Sequence, residues 1–81
     1  MKIKPEHVEH MYAAMRDVLA NLPAEHVAEF RAAHSEKRFR WDLARGAGLI
    51  LYMCDTIHPY ADSTHIDTAL RHIVKRLDSG E

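Results

Sequence analysis

Eighty-one residues, 47% of them hydrophobic and 28% charged, suffice for one small core and leave no room for a second domain. Three glycines and three prolines in that composition exclude disorder, collagen-like repeats and low complexity. A net charge of −1 argues against a general nucleic-acid or anionic-membrane binder, which is normally basic.

The first element reads as a helix over residues 5–21. Val8, Met11, Tyr12, Met15, Val18, Leu19 and Leu22 recur at steps of three and one, the spacing of one helical face. Pro5 suits the first turn, where its missing N–H has no intrahelical partner. Pro23 ends the helix by disfavouring helical geometry at Leu22. A second helix follows over residues 23–34, with a narrower stripe of Val27, Phe30 and Ala33 or His34, and is expected to cover one side of the core.

Ser35 is placed to cap a third helix over residues 36–56. Phe39, Leu43, Ala47, Ile50, Leu51 and Cys54 fit one face. From Leu49 the sequence is apolar nearly all round, which predicts the central helix of the domain, with Cys54 a small core residue. Gly46 and Gly48 each cost about 1 kcal/mol in a helix interior. Two readings follow: a continuous or mildly kinked helix in close contact with another backbone, or a break between Arg45 and Leu49. The continuous helix is favoured.

Residues 58–63 form a connection. Thr64 and Asp67 stand at capping-box spacing, so Thr64 is expected to cap a last helix. Its stripe is Ile66, Ala69, Leu70, Ile73, Val74 and Leu77, and Asp78, Ser79 and Gly80 close it. No stretch alternates with a period of two. The fold class is therefore all-α, a compact bundle of about four helices in a single domain over residues 1–81, with sequential helices as neighbours. The expected core is Val8, Met11, Met15, Leu19, Phe30, Phe39, Leu43, Ile50, Leu51, Ile66, Leu70 and Ile73.

Two blocks are distinctive: Arg38, Phe39, Arg40, Trp41, Asp42, Leu43, and His65, Ile66, Asp67, Thr68, Ala69, Leu70, Arg71, the latter preceded by Pro59, Tyr60, Ala61, Asp62. They resemble a family of small uncharacterised proteins of bacteriophages and prophages that carry an RFRWDL block, a Y-A turn and a DHIDTALR block. Ser63 and Thr64 depart from that pattern, where acidic or Asn residues are expected. The resemblance covers under half the chain. It implies a phage accessory protein in the bacterial cytoplasm and brings no enzyme chemistry with it. Such proteins often inhibit host or defence proteins, as anti-CRISPR proteins do.

The residues themselves point to a binding surface. Residues 35–45 carry a net charge of +2, whereas residues 5–34 carry −3. Arg38, Trp41, Asp42 and Arg45 share one helical face, and Arg and Trp dominate protein-interface hot spots. The bland alternative is an amphipathic helix start, with Trp41 half-buried and Asp42 paired to Arg38 or Arg45. The expected partner-binding set is Arg38, Arg40, Trp41, Asp42 and Arg45, with Asp67 and Arg71. Arg38, Arg40 and Arg45 are expected to be exposed at their charged ends. The alternative function is a small nucleic-acid regulator using residues 37–45, as a stacking surface or as the start of a recognition helix. The turn before Ser35 lacks the usual glycine, which weakens the second of these.

Seven histidines stand out. His7 and His10, Asp55 and His58, and Asp62 and His65 have ligand-like spacings, yet no H-E-x-x-H and no second cysteine accompany them. No metal or cofactor is expected. Asp55, His58 and Ser63 lack a nucleophile-elbow context, and no enzyme activity is expected. The lone Cys54 fits a reducing, cytoplasmic setting. The longest apolar run, residues 49–54, is too short to cross a bilayer, and no signal peptide is expected.

Overall fold

The structure, a computed structural model, describes residues 3–80; residues 1, 2 and 81 of the predicted domain lie outside them. It is all-helical, with five helices rather than about four: α1 (Pro5–Ala20), α2 (Ala24–Ala33), α3 (Glu36–Gly46), α4 (Ile50–Tyr52), which runs into a π-helical stretch Met53–Ile57, and α5 (Ser63–Asp78). The closest packing is among α1, α3 and α5, not between consecutive helices throughout.

α1 begins with Pro5 in its first turn and buries Val8, Met11, Tyr12 and Met15 along the expected stripe. α2 buries no residue. It is fastened at its C-terminal end by Arg31, which donates to Glu36 at 3.0 Å and to Asp78 at 2.8 Å and lies over the Phe39 ring at 4.8 Å. Those bonds hold the Arg31 guanidinium protonated well beyond its ordinary range. The Ser35 hydroxyl accepts from the Arg38 N–H at 3.1 Å and caps α3 as its sequence position indicated.

The continuous third helix is corrected to a break. The N–H of Gly48 bonds the Arg45 carbonyl at 3.0 Å, and that of Leu49 bonds the Ala44 carbonyl at 3.1 Å. Gly48 has φ of +73°. This is a Schellman stop, which wants glycine in the left-handed region followed by an apolar residue that folds back on the helix. Leu49 is that residue, at 2% exposure. The restarted helix then turns Leu49, Met53 and Ile57 inward at steps of four. Leu51, two residues from Leu49, is carried about 200° around the axis and lies 73% exposed. Leu51 is therefore not core, Cys54 is exposed rather than buried, and this segment is peripheral rather than central. In the π-helical stretch the His58 N–H reaches the Met53 carbonyl at 2.8 Å.

The last cap is also corrected. Asp62, not Thr64, caps α5: its carboxylate accepts from the His65 N–H at 3.0 Å, and the His65 ring accepts from the Asp62 N–H at 3.4 Å. Thr64 lies inside the first turn, and its carbonyl accepts from the Thr68 hydroxyl at 3.0 Å. Aspartate outranks threonine as a cap, and His65 fills the reciprocal position usually held by Glu or Gln. Asp62→Ala is expected to lower stability by roughly 0.5–2 kcal/mol, whereas Thr64→Ala should stay within about 0.5 kcal/mol. Urea titrations of the two variants check this ordering, and the reverse order would return the cap to Thr64.

The core contains Val8, Met11, Met15, Phe39, Leu43, Ile66, Leu70 and Ile73, as expected. Leu19, Phe30 and Ile50 are only half-buried against it. Ile3, Tyr12, Ala44, Leu49, Met53, Ile57, Ala61, Ala69 and Val74 complete it among the described residues. Among the described residues every buried side-chain nitrogen or oxygen has a hydrogen-bond partner. No helix among them is long and apolar enough to cross a membrane.

Candidate functional site

Eleven residues of α3 divide into two faces of opposite use. Phe39, Arg40, Leu43 and Ala44 turn inward, and Arg38, Asp42 and Arg45 turn toward solvent.

Arg40 corrects the expected set. It is 7% exposed, and its guanidinium grips Asp67 of α5 at 2.9 and 3.0 Å through Nη2 and at 3.3 Å through Nε. The Trp41 indole N–H donates to the same carboxylate at 2.8 Å, and Arg71 approaches it at 3.5 Å. Burial pushes the Asp67 carboxyl up, but the hydrogen bonds from Arg40 and Trp41, with the charges of Arg40 and Lys37, outweigh it and hold the group below its ordinary value. Arg40 and Asp67 thus tie α3 to α5 and are not free to meet a partner. Their fork-to-fork geometry is the strongest form of this pair. Arg71 remains largely exposed at the edge of the network, with 68% of its side chain in solvent.

The outer face keeps its cations open. Arg38 and Arg45 are 66% and 71% exposed and share one carboxylate, Asp42, at 3.3 and 3.9 Å. Exposed pairs of this kind are worth about 0–1 kcal/mol and yield readily to a competing ligand. Trp41 is half-buried between them. Its N–H is already bonded, so what it offers outward is apolar ring surface. Ser35, Lys37, Arg38, Trp41, Asp42 and Arg45 enclose a shallow depression of about 420 Å³.

Asp42 and Arg45 also border a second hollow of about 450 Å³, between the end of α1, α2 and α3. Its walls are Val18, Leu19, Leu22, Val27, Phe30, Phe39 and Leu43. The sequence reading missed this groove. The signals available were the narrow stripe of α2, too small to bury the helix, and Leu22, which continues the α1 stripe past the end of that helix at Ala20.

The histidines do not gather. His7 is buried and hydrogen-bonds the Tyr52 hydroxyl at 2.7 Å through Nδ1, while His10 packs on the Tyr52 ring at 4.4 Å. Asp62 and His65 form the helix cap. Among the described residues no three His, Cys, Asp or Glu side chains converge as metal ligands would.

No protein-family model, no characterised protein and no solved structure matches this chain.

Proposed function

We propose that this chain acts by binding another protein through the outer face of α3, as a phage or prophage accessory protein that occludes a host or defence protein in the bacterial cytoplasm. The observation that carries the reading is the pair of exposed guanidinium groups, Arg38 and Arg45, flanking a half-buried Trp41 with a single shared carboxylate between them. An exposed arginine beside an aromatic gives up water at low cost and supplies planar, multidentate hydrogen bonds to a carboxylate or carbonyl. An occluding protein needs a rigid surface and no reacting group. The buried tie between Arg40 and Asp67 supports that requirement by fixing α3 on α5.

The test is the double variant Arg38→Glu and Arg45→Glu. Both side chains are exposed, so circular dichroism should show an unchanged fold. Capture of a partner from bacterial lysate, followed by titration of the isolated pair, should show affinity reduced more than tenfold, about 1.4 kcal/mol or more. Unchanged affinity in the folded variant removes this face from the site. If the captured partner is instead nucleic acid, affinity will fall steeply and linearly on a log–log plot against salt. That result replaces the protein partner with the regulator reading.

A further inference from the structure

We infer that the partner meets the shallow depression on α3 with an acidic segment, one of whose carboxylates takes the place that Asp42 holds between Arg38 and Arg45 in the free chain. This rests on the protein-binding reading above and names the chemistry of what is bound.

The depression is lined by three cations, Lys37, Arg38 and Arg45, against one carboxylate, Asp42. Its own walls therefore carry a surplus of two positive charges. Asp42 is divided, at 3.3 and 3.9 Å, between two arginines whose side chains are 66% and 71% exposed. One carboxylate shared in this way leaves most of the donors of both guanidinium forks in water. Lys37 is exposed and makes no hydrogen bond or ion pair of its own among the described residues. The neighbouring carboxylates do not cancel the surplus. Asp67 is met by Arg40 and Arg71, and Glu36 is turned to Arg31.

Asp42 is thus a weak internal stand-in for a stronger ligand. Its exposed pairings at helical spacing are worth little, so exchanging it for a partner carboxylate costs little. A free Asp or Glu can meet a guanidinium fork with both oxygens, the stronger form of the contact. Arg38 and Arg45 are seven residues apart on α3, about 10 Å along its axis, with Trp41 between them. The segment that gains most has two carboxylates at about that separation and an apolar side chain between them for the Trp41 ring. A phosphate tract fits less well. Residues 5–34 carry −3 and the whole chain −1, so a strand running past the depression meets like charge.

The experiment is display selection of random peptides with the full chain as bait. The enriched peptides should carry two or more Asp or Glu around an apolar residue. They should bind more than tenfold more weakly to the Arg38→Glu and Arg45→Glu double variant. The decisive variant is Asp42→Asn, which removes the stand-in at an exposed site and should tighten the same peptides by about threefold or more. Asp55→Asn makes the same charge change at an exposed residue outside the depression, and should leave affinity as it was. No enrichment, or enrichment without acidic preference, overturns the inference. So does Asp42→Asn binding that is unchanged or weaker, or that is matched by Asp55→Asn. A short oligothymidine that binds more tightly than the best peptide also overturns it and gives the face to nucleic acid. Failure here is distinct from failure of the parent reading. If the double variant loses the partner captured from lysate while Asp42→Asn tightens nothing, the α3 face stands and its acidic ligand falls. If acidic peptides behave as expected while the double variant keeps that partner, the parent reading falls instead.

Discussion

Asp67→Ala is expected to destabilise the fold by about 3 kcal/mol, the lower end of the range for removing one partner of a buried ion pair. The lower end applies because 15% of the Asp67 side chain still meets solvent. The cause is the group left behind: the Arg40 side chain is 8% exposed, and without Asp67 its guanidinium keeps its charge but loses three hydrogen bonds. The Trp41 N–H loses its acceptor as well. A total stability of roughly 5–15 kcal/mol is usual for a folded domain, so the loss is a large share of it. Denaturant midpoints compared at pH 7 check it, and a shift of less than about 1 kcal/mol would mean that Arg40 finds water instead.

Acid supplies a second reading of the same bond. The folded Asp67 carboxyl lies below its ordinary value, so the unfolded chain takes up the proton first as pH falls. Its stabilisation is complete above the unfolded value of about 3.9 and is lost as pH drops through the lower folded value. Asp78 and Glu36, both held down by hydrogen bonds from Arg31, act in the same direction. Midpoints should therefore fall progressively below about pH 5, and the Asp67→Ala series should fall less steeply than the parent.

Leu70→Ala should lower stability by about 2–5 kcal/mol. Leu70 is fully buried on α5, in the face that meets α1 and α3, with Ile66, Ile73 and Val74 beside it. Truncation leaves a cavity against three helices, and a close-packed interior closes only part of it. Leu51→Ala is the matched control: the same change at a residue 73% exposed should stay within about 0.5 kcal/mol. Equal losses at the two sites would refute the inward turn of Leu49, Met53 and Ile57.

The stripes of α1 and α5 were legible because each keeps one phase for its whole length. The segment beyond Arg45 was not, because its apolar residues fit a continuous helix if Gly48 is taken as interior. Only the pairing of Gly48 with an apolar Leu49 distinguishes a Schellman stop, and that single step reverses which of Leu49 and Leu51 is buried. The cap of α5 was misplaced for a related reason: Asp62 and Thr64 are both good caps, and the partner expected three residues on was a carboxylate rather than His65. At the site, the order of residues placed Arg38, Trp41, Asp42 and Arg45 on one face, as the structure does. Arg40 could not be assigned from local spacing, since its partner Asp67 is 27 residues away. The groove was hidden for the same reason, being a property of three helices together.

α5 closes the fold against both α1 and α3, and it follows both of them in the chain. Until it leaves the ribosome, the apolar stripes of α1 and α3 have no third wall, and Glu9 and Tyr12 lack Arg76, which in the folded chain donates to the one at 2.8 Å and covers the other's ring at 4.0 Å. The core of α1, α3 and α5 is thus completed during synthesis only once α5 is available to pack on the other two. At roughly 5–20 residues per second, the sixteen residues of α5 take about one to three seconds to add. For at least that interval, and until α5 has emerged, the nascent chain lacks the helix that covers the apolar faces of α1 and α3.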